Sequence, residues 1–572
     1  MRTVFFAFIC ICLSRMVRSV GAISTRATSP TDDVVPAPKR GKKTELPVVA
    51  SVDIHVPSYT SYRVIMDPVS GLPLTAMLNQ TNLALNNNKF LFIQGLERLD
   101  GKGFACFRRW GRVGYDGNIE VKPADSLEET TRLFTEKFEA KTLNEWNSTV
   151  FNKFKSHSGK YTLLPLESLS QTVTDADGNK AAVQIVKVEY EATKLESQIF
   201  DLIKLISSRE MFESELKIAG LDLTRMPLGQ ISRKMISDGY TILKQIEKEL
   251  MRPGGARREE LAELTGRFYT VIPHNFGFNK AVSFIINTLE KLREKLDVLE
   301  TLSGISDSVK MEDNTPTVEE KVKLRPNPVD EQYKYLSHKL ELLKPDSKEY
   351  KLIAKYKENT QGETHGIVTK ILNIYKISSG GKPKKSSSKK RPDGTKMLLW
   401  HGSRLTNWMS ILAHGLKIAP PEAPHTGYMF GKGVYTADCF SKSANYCFVS
   451  DRSRGSQRTG LVTLCEVDLG KSNELLEADY DAEDKLKSTG CHSTKGVGEW
   501  FPEPSGFETF EDLTVPCGKL ISREPAKPKP VAGRASRRIA SQSTNGLLYN
   551  EYIVYDTKRV KMRYLVELEF GR

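Results

Sequence analysis

Residues 398–448, LLWHGSRLTNWMSILAHGLKIAPPEAPHTGYMFGKGVYTADCFSKSANYCF, constrain the chain more than any other segment. An apolar strand, Leu398-Leu399-Trp400, ends in His401-Gly402-Ser403; an amphipathic helix, a Pro/Gly loop and Gly431-Lys432-Gly433-Val434-Tyr435 follow. Polar groups at a strand end, beside glycines that let a ligand approach the backbone, build a binding cleft. Tyr428, Tyr435 and Tyr446 supply flat walls suited to a planar, cationic ring. Gly431-Lys432-Gly433 lacks the spacing of a phosphate-cradling P-loop. Taken as residues alone, the segment reads as a cleft for a flat polar ligand.

Late in the chain, Leu547-Leu548-Tyr549-Asn550-Glu551-Tyr552-Ile553-Val554-Tyr555 reads as a strand carrying a glutamate. Together with the 398–448 stretch it resembles the catalytic core of the poly(ADP-ribose) polymerases. His401, Tyr435 and Glu551 then match the family's His-Tyr-Glu triad and are the expected catalytic residues. The resemblance implies NAD+ as a substrate, with no metal, bound by His401, Gly402, Ser403, Asn407, Lys417, Tyr435, Ser443 and Tyr446. Gly402 would hold the carboxamide through its backbone, with Ser443 donating a hydroxyl. Tyr446 would stack on the nicotinamide, Tyr435 would wall the opposite side, and His401 would orient ribose hydroxyls. Glu551 would stabilise the sugar cation and engage the acceptor, a role that favours polymer synthesis over single transfer. The loop 420–431 resembles the donor-site loop. The family usually has Arg where Lys417 stands, so a point charge replaces a planar fork there. Lys432 and Lys442 are candidates to attract the pyrophosphate or the acceptor.

A chain of 572 residues should form several domains, and its net charge of +14 points to an acidic partner, nucleic acid first. Its eight cysteines and nine histidines show neither zinc spacing nor a disulfide framework, so a reduced compartment and no structural metal are expected. The start, MRTVFFAFICICL, has the basic end and short apolar run of a secretory signal peptide, too short to span a bilayer comfortably. Arg15, Arg18 and Arg26, with no acidic residue before Asp32, equally suit a mitochondrial transit segment. The remaining chain looks nuclear, and Pro38-Lys39-Arg40-Gly41-Lys42-Lys43 reads as a basic targeting or nucleic-acid-binding patch.

Alternation in Lys89-Phe90-Leu91-Phe92-Ile93-Gln94 and in Phe104-Ala105-Cys106-Phe107 predicts strands. Arg108-Arg109-Trp110-Gly111-Arg112 then sets arginines around a tryptophan, a combination able to grip phosphate and stack on an exposed base. This segment resembles a WGR domain, which implies binding to DNA breaks with Arg108, Trp110 and Arg112 at the DNA end. Apolar stripes at Leu195, Ile199, Leu202, Ile203 and Ile206, and at Ile285, Leu289, Leu292, Leu296 and Leu299, predict helices. Phe268-Tyr269-Thr270-Val271-Ile272-Pro273-His274-Asn275-Phe276-Gly277 resembles the family's regulatory helical subdomain, which shields the NAD+ site until DNA is bound; Glu263 falls where the family places an acidic group near the adenosine. An acidic linker (307–328) leads into the catalytic domain, and two basic insertions (378–396 and 524–541) read as surface loops.

The expected fold class is multidomain α+β. A disordered basic arm with a signal-like start (1–74) precedes a small β-rich WGR domain (75–170), an all-α helical regulatory bundle (190–305) and a mixed α/β ADP-ribosyltransferase catalytic domain (322–572). One WGR domain without zinc fingers resembles the family's second member. The expected function is DNA-break-stimulated transfer of ADP-ribose from NAD+ to the protein itself and to chromatin proteins such as histones, then chain extension, in DNA repair in the nucleus. Expected partners are 5′-phosphorylated nicks or ends, these acceptors and an accessory factor completing the acceptor site, with no membrane. The alternatives are a mono-ADP-ribosyltransferase and a catalytically weak DNA-end-binding scaffold.

Overall fold

The computed structural model describes residues 50–164, 190–221, 232–277, 279–312, 326–379, 395–425, 428–447, 459–523 and 547–571. The signal-like start, the basic patch at 38–43, most of the linker and the bulk of both basic insertions lie outside the described residues.

The first unit is a six-stranded antiparallel sheet. Its order is Asn118–Ala124, Phe104–Arg112, Asn87–Arg98, Thr75–Asn82 and Thr162–Leu163, with Tyr62–Val64 also pairing with Asn87–Arg98. Both predicted strands lie within it. Helix Leu127–Thr142 covers one face; it starts where the Ser126 hydroxyl accepts the Glu129 N–H and buries Leu133, Phe134 and Phe138. Residues 50–74, assigned from the sequence to a disordered arm, are ordered against this sheet. The Asp53 carboxylate, 6% exposed, meets the Arg109 guanidinium at 2.7 Å, and Val56 and Leu74 are buried. An ion pair taken out of water is held only when its geometry and hydrogen bonds are good, and Asp53 also receives the His55 N–H.

The helical unit comprises Ser197–Ile206, Arg209–Ile218, Arg233–Leu250, Arg258–Val271 and Leu289–Glu312. Ser208 and Ser232 cap the second and third helices. The stripes read from the sequence are buried except for Leu195 and Leu289, which are half-buried, and Leu195 precedes its helix; two further differences stand out. Ile285 precedes the last helix rather than lying on it, and the 199–206 stripe packs on the catalytic sheet beside Tyr375, Met397 and Trp408 instead of entering the bundle core. Periodicity reveals an apolar face without revealing what covers it. The last helix continues past residue 305.

Among the described residues the catalytic unit holds two main sheets and a two-stranded pair, Trp500–Pro502 with Leu520–Ser522. The larger runs Glu508–Phe510, Leu513–Val515, Lys396–Ser403, Thr459–Asp468, Val560–Phe570, Thr369–Ser379, His338–Leu342; the smaller runs Val434–Thr436, Glu551–Val554, Ser493–Gly496, Ser472–Leu475. A single bridge, Trp400 to Ala437, joins them. The strand bearing His401 therefore meets the strand bearing Tyr435, which pairs in turn with the strand bearing Glu551. The units share apolar cores: Tyr240, Leu243, Phe268 and Leu299 of the bundle lie in one cluster with Tyr428, Phe430, Tyr435 and Ile553. No helix among the described residues is long and apolar enough to cross a membrane.

Candidate active site

His401, Gly402, Tyr435, Ser443, Tyr446 and Glu551 meet on one partly open cleft; Thr436, Ala437 and Lys442 complete its lining. The junction of the two sheets builds it. Trp400 exchanges both backbone hydrogen bonds with Ala437, at 2.8 and 2.9 Å. Backbone groups two residues apart on a strand point the same way, so Gly402 turns its N–H and C=O to that side, into the cleft. A Cβ at Gly402 would lie 1.9 Å from the Ser443 carbonyl oxygen. Only glycine lets the short helix Phe440–Ala444 come that close, and this contact sets the Ser443 side chain against the strand: its hydroxyl donates to the Trp400 carbonyl at 3.0 Å.

Two side chains have their chemistry fixed by their partners. His401 is 5% exposed, and its Nδ1 lies 2.8 Å from the Tyr435 carbonyl. A carbonyl only accepts, so Nδ1 carries the proton and Nε2 presents a lone pair. Burial holds the imidazole below its ordinary pKa, which keeps it neutral at pH 7. The Tyr435 hydroxyl donates to the Gly431 carbonyl at 2.7 Å and accepts the Phe430 N–H at 3.0 Å. It is a fixed wall that ties the end of the 420–431 loop to the cleft, and burial pushes its phenol well above the ordinary value.

Glu551 opens its strand, 3% exposed. Its Oε1 is 2.7 Å from the Lys442 ammonium, which also donates to the Tyr549 carbonyl at 2.9 Å. Its Oε2 is buried with no hydrogen-bonding partner among the described residues. Such an acceptor points to a donor supplied from outside the fold. Lys442 is thus part of the site rather than a solvated charge. The available signal was a lone lysine inside the run of small residues Ser441 to Ala444, beside Ser443.

Ser403, Asn407 and Lys417 do not line the cleft. The Asn407 amide donates to the Ser403 hydroxyl at 3.0 Å, and a Cβ at Gly304, on the last bundle helix, would lie 2.6 Å from Asn407 Oδ1. Lys417 sits 3.4 Å from the Ser410 hydroxyl, and burial lowers its pKa to about 8. Arg404, between them, pairs with Asp297 at 3.4 Å and Glu215 at 3.8 Å, so acidic residues of the bundle clamp the strand that follows His401. Glu263, the acidic residue singled out from the sequence, is exposed on its helix.

The three expected DNA-binding residues differ in availability. Trp110 is 39% exposed. Arg108 is tied to Glu120 at 3.1 Å and to the Leu133 carbonyl. Arg112 reaches across to the bundle, donating to the Gly277 carbonyl at 3.0 Å. Around it Asn88 donates to the His274 carbonyl at 2.8 Å, and the Thr81 N–H to the Thr270 hydroxyl at 3.0 Å.

Comparison with known proteins agrees with this layout. Residues 74–153 match the WGR domain, 193–333 the poly(ADP-ribose) polymerase regulatory domain and 347–570 the poly(ADP-ribose) polymerase catalytic domain. The chain is 40% identical to poly [ADP-ribose] polymerase 2 of Arabidopsis thaliana over 87% of its length and 73% of that protein. To the human protein of that name it is 38% identical, over 86% of this chain and 79% of the relative. To poly [ADP-ribose] polymerase of Drosophila melanogaster it is 35% identical, over 87% of this chain and 46% of the relative. With this identity spread across all three units, and with the cleft assembled where the catalytic match lies, the chain belongs to the poly(ADP-ribose) polymerase family and is an NAD+ ADP-ribosyltransferase.

Proposed function

We propose that this enzyme senses DNA breaks in the nucleus and responds by building poly(ADP-ribose) on itself and on chromatin proteins, as a step in DNA repair. One observation carries the chemical half of this reading: Glu551, a buried carboxylate with one oxygen unpartnered among the described residues, shares a cleft with the backbone edge of Gly402. The Gly402 N–H and C=O suit a primary carboxamide, which needs one donor and one acceptor. The Ser443 hydroxyl stands beside them and would exchange the Trp400 carbonyl for the carboxamide oxygen. Tyr446 and Tyr435 flank the nicotinamide ring, and His401 Nε2 accepts from a ribose hydroxyl. Ser403, Asn407 and Lys417, which follow the His401-Gly402 edge in the chain, would serve the adenosine half.

Cleavage breaks the bond between the ribose carbon and the nicotinamide nitrogen, and positive charge develops on the sugar. Glu551 accepts from the ribose hydroxyl through Oε2 and stabilises that charge; Lys442 holds the carboxylate in place. The acceptor oxygen then bonds to the sugar carbon, its proton passes by way of Glu551 to solvent, and nicotinamide leaves. In chain growth the acceptor is a hydroxyl of the preceding unit.

Regulation follows from the clamp of Asp297 and Glu215 on Arg404 and from the seam joining Arg112, Asn88 and Thr81 to the bundle. A DNA end stacked on Trp110 acts beside that seam. The test is NAD+ consumption with and without 5′-phosphorylated nicked DNA, with product length read on a gel. Stimulation and long polymer are expected, with Glu551→Gln losing polymer while keeping DNA affinity. Equal rates without DNA would remove the break-sensing role, and a product of one unit would remove polymer synthesis.

A further inference from the structure

Beyond the Lys442 ion pair, what aims Glu551 at the cleft is the strand that carries it. Successive side chains on a strand point to opposite faces, so holding residues 550 and 552 on one face turns 551 to the other. Asp438 does that holding. It is 1% exposed, and its Oδ2 accepts from the Asn550 amide at 2.8 Å and from the Tyr552 hydroxyl at 2.9 Å. Asn550 is 2% exposed, and its own carbonyl accepts the Gly498 N–H at 2.9 Å. Both neighbours of Glu551 are thereby fastened to one buried oxygen.

The ladder alone does not fix this position. Tyr552 has register partners on both sides, Thr436 and Lys495, whereas Glu551 has Gly496 on one side only. The strand's first residue sits at the frayed end of its pairing, where a side-chain brace has the most to add. A carboxylate oxygen receiving two donors is a stronger brace than a neutral acceptor.

We propose that Asp438 is a positioning residue for ADP-ribose transfer: by accepting hydrogen bonds from Asn550 and Tyr552 it turns Glu551 toward the sugar end of the cleft. The inference rests on the reading of Glu551 as the carboxylate that steadies the sugar.

The test is a double-mutant comparison in the full chain, following NAD+ consumption with nicked DNA present. Asp438→Leu removes the acceptor at similar volume, and Asp438→Asn keeps an oxygen for both donors. D438L lowers kcat about tenfold or more with KM for NAD+ changed less than about threefold, while D438N stays within about threefold of the parent. In an E551Q background D438L costs less than about twofold, because the group it positions is already gone. A residue that only stabilises the fold would cost the same factor in both backgrounds. Tyr552→Phe, which removes one donor and keeps the ring, gives a smaller loss that also vanishes with E551Q; it carries the test if D438L does not fold. Equal losses in both backgrounds, or D438N as damaging as D438L, overturn the positioning role alone. Full activity in E551Q overturns the reading of Glu551 as well.

Discussion

Replacing Gly402 by alanine probes the cleft where its geometry is tightest. The added Cβ would stand 1.9 Å from the Ser443 carbonyl oxygen and 2.8 Å from its carbonyl carbon, and both are backbone atoms. Ordinary contact begins at 3.4 Å, so helix Phe440–Ala444 must retreat by about 1.5 Å. That helix carries Ser443 and Lys442, and Tyr446 follows it, so one methyl group displaces three of the lining residues together. Overpacking of this kind costs about 1–3 kcal/mol in stability, too little to unfold a chain with several cores. Its effect on the reaction is larger: a misplacement of about 1 Å at reacting groups costs on the order of 10²-fold. G402A should therefore melt a little earlier than the parent, bind benzamide (a carboxamide mimic of the nicotinamide head) at least about tenfold more weakly, and lose about 10²-fold in kcat/KM for NAD+. Calorimetric titration with benzamide and steady-state rates with nicked DNA measure both. A G402A enzyme within about threefold of the parent on both counts would show that neither the glycine edge nor the approach of the helix matters, and the proposed grip on the head group would fall.

Lys442→Met should leave the Glu551 carboxylate buried without its cation, at about 3–5 kcal/mol, and adding Glu551→Gln should recover most of that loss in denaturant melts; a double variant no more stable than K442M refutes the coupling. For Asp297, burial raises the carboxyl from 3.8 to about 6, and Arg404 offsets part of the shift. The folded protein keeps this proton up to about pH 6 while the unfolded chain releases it near pH 4, so the group's contribution to stability is full below about pH 4 and lost as pH rises through that window. Relative to Asp297→Asn, the parent should lose on the order of 3 kcal/mol between pH 4 and pH 7 and nothing further by pH 8, and a pH-independent difference in urea melts would contradict it. Trp110→Ala should weaken binding to a nicked duplex by about 1–3 kcal/mol in an anisotropy titration, whereas Arg112→Ala, which breaks the bond to the Gly277 carbonyl, should reduce DNA stimulation of NAD+ consumption more than DNA affinity. Equal effects of the two substitutions on affinity and stimulation would deny Arg112 a coupling role.

The parts of the site that could be read from the sequence are those carried by short, contiguous words. His401 and Gly402 end a strand, Tyr435, Ser443 and Tyr446 lie within twelve residues, and Glu551 sits in an apolar strand of its own. Folding brings these words together in one cleft; the residues alone read as a cleft for a flat polar ligand, and only the family resemblance gave each a role. Contacts between words were not visible beforehand. The partner of Lys442 is Glu551, more than a hundred residues away, and a lysine in a helix looks solvated until the strand opposite is placed. Asp438 drew no reading from the sequence; only the pairing of Val434–Thr436 with Glu551–Val554 brings it to Asn550 and Tyr552. The same limit explains the order at 50–74. The Asp53–Arg109 pair joins a Pro-containing arm to a strand fifty-six positions on, and composition reports neither end of such a contact.

The shared core bears on how a DNA end could control the cleft. Tyr435, whose carbonyl fixes His401, is buried in the same apolar cluster as Tyr240, Leu243 and Leu299 of the bundle. Two units that bury one core cannot separate without exposing it, at about 25 cal/mol per Å² of apolar surface, so large opening is costly while the cluster holds. A small shift is cheaper. The last bundle helix touches Asn407 through Gly304 and Arg404 through Asp297, and a slide of that helix would loosen the segment after Ser403, the proposed adenosine side, ahead of the cleft itself. The seam at Gly277 and His274 lies on the loop after helix Arg258–Val271, which packs in the same core as the last bundle helix. Packed interiors transmit displacement rather than absorb it. On the proposed reading, regulation would gate the adenosine half of the dinucleotide and leave the nicotinamide half untouched. Activating substitutions should then concentrate on the bundle face at Asp297 and Gly304 and lower KM for NAD+ more than they raise kcat; activating changes that act on kcat alone would place the gate at Glu551 instead.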